Sequence, residues 1–126
     1  MPNWESADYE IVDTKQNITK LNAEIEKAMT LENESDFDDW LGLLMLHLGW
    51  SYEQVRKSSD GCPGCRGWIT DRWTSGYYPD KEKAEYHLAT ESAWAPMDEC
   101  VVEFVRHFCP DAMIYRTQTI EVTEEL

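Results

Sequence analysis

The sequence predicts an α+β fold: a βαββαβ order closing into a four-stranded antiparallel sheet with two helices on one face, plus a helical insertion after the first helix. Three observations predict it. Tyr9 and Ile11 alternate with Asp8 and Glu10, the period of a half-buried strand. Two apolar stripes at helical spacing, Ile18-Leu21-Ile25-Ala28-Met29 and Val101-Phe104-Val105-Phe108, lie far apart in the chain. Between and after them, 68–73, 86–90 and the stretch from Met113 read as further strands. At 126 residues the chain holds one core and not two, so 1–126 is expected to be a single domain, with 31–63 inserted in it.

Each element has its own signals. The first strand covers roughly 5–13, and Thr14 is placed to cap the helix that follows, whose outer face carries Lys15, Lys20, Glu24 and Lys27. Ser35 with Asp38 three residues on has capping-box spacing, and from Phe37 to Leu48 the chain is apolar on most sides, which predicts a second helix. Gly49 can end that helix in the left-handed conformation. Ser51 and Gln54 again have capping-box spacing and open a short helix. Gly61, Pro63, Gly64 and Gly67 make 58–67 turn chemistry. Trp68-Ile69-Thr70-Asp71-Arg72-Trp73 is a strand with aromatic ends, followed by a loop at Ser75-Gly76 and Pro79-Asp80. Pro96 suits the first turn of the helix at 97–109, which stops at Cys109-Pro110-Asp111 before the last strand.

Composition narrows the function classes. Twenty-five acids against eleven bases give a formal charge of −14, which repels nucleic-acid phosphates and anionic membranes. Direct nucleic-acid binding and membrane association are therefore not expected. The longest apolar block, Trp40 to Trp50, falls well short of the roughly 20 residues that span a bilayer. Met1-Pro2-Asn3-Trp4-Glu5 lacks the basic start and apolar run of a secretory signal, so the expected location is the cytoplasm, where the four cysteines stay reduced.

Those cysteines make a metal site unexpected. Cys62-Pro63-Gly64-Cys65 has the spacing of half a zinc site, and Cys100, His107 and Cys109 would have to complete it. Nine residues of helix rotate Cys109 about 180° from Cys100 and raise it about 13 Å, so the two cannot share an ion. No metal or other cofactor is expected.

The opening Met1-Pro2-Asn3-Trp4, the Trp68-to-Trp73 strand, Ala93-Trp94-Ala95-Pro96 and Phe108-Cys109-Pro110-Asp111 together resemble the YubB-type family of conjugative plasmids, phages and gut bacteria. The resemblance covers 1–30 and 66–118. It departs from the family pattern at Glu5, where a cysteine is usual, and in the central strand, which lacks a glycine-lysine pair. It implies a ferredoxin-like fold and a mobile-element origin, and supplies no catalytic residues.

Candidate functional residues come from what the fold leaves over. No Ser-His-Asp spacing, nucleophile elbow, phosphate-binding glycine loop or HExxH is present, so catalysis is not expected. His47 reads as a hydrogen-bonded core histidine, His87 as paired with Glu85, and His107 as a cation at a helix C-terminus. Trp4 and Trp94 are expected to pack at strand–helix junctions. The over-apolar helix offers Leu43 and Leu46 as a docking face. Trp68, Trp73, Tyr77 and Tyr78 form the densest aromatic cluster and a protein-contact rim. The expected function is an accessory protein that binds another protein or a second copy of itself. The alternative is an inhibitor that imitates DNA with Asp36, Asp38 and Asp39 and binds a host nuclease or defence system.

Overall fold

The computed structural model describes residues 4–32, 38–57, 66–75, 82–118 and 123–126. Within them lie five strands, β1 (Trp4–Thr14), β2 (Gly67–Ser75), β3 (Lys83–Ala93), β4 (Met113–Gln118) and β5 (Thr123–Glu125). Four helices accompany them: α1 (Lys15–Met29), α2 (Gly42–His47), α3 (Tyr52–Lys57) and α4 (Asp98–Phe108). The strands form one sheet in the order β2-β3-β1-β4-β5, every neighbouring pair antiparallel.

Alternation along β1 decides which face is covered. Ala7, Tyr9 and Ile11 are buried and join Ile18, Leu21 and Ile25 of α1 and Val101, Phe104 and Val105 of α4 in one apolar core. Tyr86 and Leu88 of β3 and Ile114 of β4 are in register with this set and belong to the same core. Both long helices therefore cover one face, and α2 packs against the two of them. None of the described helices lies on the other face.

The caps formed as their chemistry requires. The Thr14 side chain accepts from the Asn17 amide at 3.2 Å and starts α1. Ser51 and Gln54 cap one another reciprocally, with Ser51 N–H to Gln54 Oε1 at 2.8 Å and Gln54 N–H to Ser51 Oγ at 3.1 Å. Gly49 takes φ of 102°, just past the end of α2.

The helix expected over 37–48 is much shorter. Asp39 has φ of 51°, outside the helical region, and its carbonyl accepts from the Ile69 amide at 2.9 Å. The Leu41 amide donates to the Gly67 carbonyl at 3.0 Å, so Trp40 bridges Trp68 and shields the outer edge of β2 at that point. Backbone groups used by β2 cannot also serve a helix, and α2 begins only at Gly42. A side chain at Gly42 would run into the Trp40 ring, so only glycine fits beneath it.

Other boundaries moved less. Pro96 lies before α4, not in its first turn, and Met97 is the N-cap residue without a side-chain cap. Thr123–Glu125 forms β5, a strand beyond the four expected, joined to β4 by Arg116–Glu124 and by the Thr117–Thr123 hydroxyl contact. The Ser35 cap, the CxxC turn and the loop after Ser75 lie outside the described residues.

Leu43 is only 2% exposed, while Leu46 is partly buried against the same core. Leu43 is thus core, not a docking face. Leu43→Ala should destabilise the protein by roughly 2–5 kcal/mol in urea unfolding, the cost of a lost side chain plus the cavity it leaves. Leu46→Ala should cost less.

Candidate functional site: the uncovered face of the sheet

Register assembles this face from residues distant in sequence. Glu10 stands opposite His87 on one side and Tyr115 on the other, and Trp73 is next to His87 on β2. Two residues back along β1, Asp8 is opposite Ala89 and Thr117; two further, Ser6 is opposite Glu91, whose β2 partner is Trp68. Trp4 is opposite Ala93 and reaches Trp68 edge-on, ring centroids 5.0 Å apart at 65°.

The centre of the face is a pair of carboxylates beside a stacked imidazole. The His87 ring lies parallel to Trp73, 4.7 Å between centroids and 5° between planes. Its Nε2 is 2.8 Å from Glu85 Oε2. Glu10 is a neighbour of Glu85 across the β1–β3 pair. Burial first, and then the Glu85 carboxylate, hold Glu10 above the ordinary carboxylate range, with His87 opposing weakly. Chemically the pair can hold a shared proton or accept a cation.

Exposure of large rings is concentrated here. Trp4 is 40% exposed and Trp73 47%. Trp94, one residue beyond the register partner of Trp4, is 58% exposed with φ of 74°. The Ala95 amide donates to the Ala93 carbonyl at 2.9 Å, which closes a γ-turn around Trp94, the strained form with positive φ. The Ser92 hydroxyl donates to the Ala95 carbonyl at 2.6 Å and braces it. Trp94 is therefore not a packed junction residue, whereas Trp4 packs edge-on against Trp68 within the sheet face.

Of the residues singled out from sequence, the structure brings Trp68 and Trp73 to this face. It leaves Leu43 in the core and Leu46 against it. Tyr77, Tyr78 and Asp36 lie outside the described residues. Asp38 and Asp39 are exposed, and Asp39 lines a shallow recess with Thr70, Asp71, Arg72 and Glu26 along the edge of β2. Sequence reading missed Glu10 as a partner of Glu85, and Trp94 as an exposed ring.

The covered face holds a different polar set. Tyr9 donates to Asp98 Oδ1 at 2.7 Å, and Arg116 ion-pairs with Asp98 and, at 2.7 Å, with Glu124. Burial, then the hydrogen bond to Asp98, push the Tyr9 hydroxyl far up and keep it neutral. Arg116 is 7% exposed, and through it this network ties α4, β1, β4 and β5 together. His47 sits against Phe104 and Phe108 with its Nε2 2.6 Å from Glu24, as a partly buried, hydrogen-bonded histidine.

Among the described residues no group of three or more His, Cys, Asp or Glu side chains is placed to hold a metal ion, and Cys62 and Cys65 are not among them. No described helix is long and apolar enough to cross a membrane. Cys100 and Cys109 are buried free thiols on separate contacts, each Sγ 3.5 Å from a carbonyl, of Leu41 and of Asn17 respectively. Burial raises both, Cys109 to about 11. Compared with known proteins, the chain matches no family model, no curated protein and no solved structure.

Two outcomes follow from these environments. In a Cys62→Ser/Cys65→Ser variant at pH 8, a thiol-titrating disulfide reagent should label neither remaining cysteine until denaturant is added, because both are buried and protonated. Glu10 gives a pH signature. Its folded-state proton affinity is raised, so stability falls as pH climbs from the ordinary carboxylate range through the raised value, and the deficit persists at neutrality. Glu10→Gln should therefore raise Tm at pH 7, and the gain should vanish in acid, where Glu10 is protonated in both states.

Proposed function

We propose that this protein is a non-catalytic, cytoplasmic accessory protein of a mobile genetic element, acting by protein–protein binding through the uncovered sheet face of a ferredoxin-like domain. The order β2-β3-β1-β4, with α1 following β1 and α4 following β3 onto one face, supports the ferredoxin-like reading. On that reading β5 is an addition at the sheet edge, and α2 and α3 belong to the insertion at 31–63. The motifs at Met1–Trp4 and Ala93–Pro96 support the mobile-element origin. The absence of a nucleophile–base or metal-ligand motif in the sequence supports a binding role over catalysis.

One observation carries the binding role: Trp4, Trp73 and Trp94 are exposed on or beside the face that no described helix covers. Tryptophan is enriched among residues that dominate interface energies, and clustered exposed apolar rings mark contact surfaces. Imitation of DNA is less well supported. It needs carboxylates aligned on one side, whereas Asp8 and Glu91 lie on the open face and Glu99 and Glu103 on α4 behind it.

Host-extract capture on immobilised wild type and on Trp73→Ser tests the reading. A protein retained by the wild type should be lost by the variant, with circular dichroism of the two unchanged. Identical captures would show that the contact lies elsewhere.

A further inference from the structure

The carboxylates of the two faces differ in how they are matched. On the helix-bearing side Glu24 contacts Lys27 and His47, Glu26 contacts Arg72, and Asp98 and Glu124 share Arg116. On the open face Glu10 has Glu85 beside it, a like charge, and among the described residues the pair has only the His87 imidazole. Asp8 and Glu91 have no basic partner among the described residues, and the one lysine that register brings to this face, Lys83, stands at its far end opposite Thr14. The face thus combines exposed indole rings with carboxylates left without cations.

We propose that the occupant of this face is an arginine-bearing segment of a partner protein, its guanidinium groups seated on the Glu10–Glu85 pair and over the exposed side of Trp73. This rests on the binding role given above and adds the chemistry of the partner. Arginine fits better than lysine for two reasons. A planar guanidinium donates to two carboxylates at once, and it stacks flat on an indole, which an ammonium point charge does not. His87 already occupies one side of Trp73 at 4.7 Å, so the other side and the edge supply its 47% exposure. A cation there would also offset the Glu85 charge that, after burial, raises Glu10, so binding would lower the proton affinity of Glu10. The groups facing Glu10 are Glu85 and His87 on β3, Tyr115 on β4 and Asp8 on its own strand.

The probe is a nonapeptide of arginine, compared with one of lysine, followed by tryptophan fluorescence at physiological ionic strength. A protein of charge −14 attracts either peptide, so the controls hold charge constant. Glu10→Gln/Glu85→Gln and Glu99→Gln/Glu103→Gln each remove two negative charges, one pair from the open face and one from α4. The open-face variant should weaken arginine binding about tenfold, and the α4 variant less than about twofold, as charge-assisted contacts differ from diffuse attraction. Trp73→Ala should weaken arginine binding about fivefold and lysine binding hardly at all. Equal losses from the two double variants, or equal affinity for the two peptides, would overturn the assignment. Thermal melts of all variants separate lost binding from lost fold. The host-capture experiment separates the two levels of the argument. A captured protein lost by Trp73→Ser but kept by Glu10→Gln/Glu85→Gln would leave the binding face standing and remove arginine from it; one kept by both would remove both.

Discussion

The pairing of β1 with β3 is the constraint on which everything else depends. It runs in one unbroken register from Trp4 opposite Ala93 to Thr14 opposite Lys83, and both strands are central in the sheet. Side chains on a strand alternate with period two, so a slip of one residue would exchange the two faces. A slip of β1 would move Tyr9 and Ile11 to the open face and carry Glu10 into the apolar core under α1 and α4, away from Glu85 and His87. Burial of Tyr9 and Ile11 to essentially zero exposure makes that exchange prohibitive. The core thus fixes the register, and the register in turn sets the carboxylate pair beside the imidazole.

Behind the sheet, the Tyr9–Asp98–Arg116–Glu124 network performs a second kind of fixing. A buried arginine is costly to desolvate and is offset only when its hydrogen bonds are met by well-placed acids. Here the acids come from the first residue of α4 and from β5, so the ion pairs specify where those two elements sit on β1 and β4. Arg106 adds to this by donating to the carbonyls of Pro110, Ala112 and Leu126, which pulls the end of α4, the turn after it and the residue beyond β5 onto one guanidinium. Leu126 packs against the core in consequence. A three-residue edge strand has little pairing of its own, and these side chains hold it.

How much was legible in the sequence depended on whether the signal was local. The stripes of α1 and α4, the Thr14 cap, the reciprocal Ser51–Gln54 cap and the turn at Gly49 are all decided within a few residues, and each appears where its chemistry puts it. The stretch 37–48 failed for a physical reason. Apolarity reports burial, not conformation, and Trp40 and Leu41 are buried by bridging β2, not by a helix. For the site, Trp68 and Trp73 were visible as an aromatic cluster. The Glu10–Glu85 neighbourhood was not, because it requires the register of two strands separated by some seventy residues of chain. Trp94 was misjudged because a γ-turn at a tryptophan has no propensity signal; bulky residues disfavour positive φ.

That misjudged residue bears on what the open face is for. Backbone held in a sparsely populated region costs on the order of 1–3 kcal/mol and persists only where its surroundings impose it. At Trp94 the Ser92–Ala95 hydrogen bond imposes it, and the result is an indole left more than half exposed. Glu10 and Glu85 add a like-charge pair, and Trp4 and Trp73 add exposed rings. Each of these departs from what stability alone selects, and all lie on one side of the sheet or at its rim. The opposite side is filled by the core and its buried arginine is paired with two acids, although the Tyr86 hydroxyl and Arg116 Nε are buried there without a hydrogen-bond partner. Sequences that satisfy their local rules nearly everywhere tend to break them at sites of function. The exposed rings and the like-charge pair gathered on this face support the proposal that it is the working surface of the molecule.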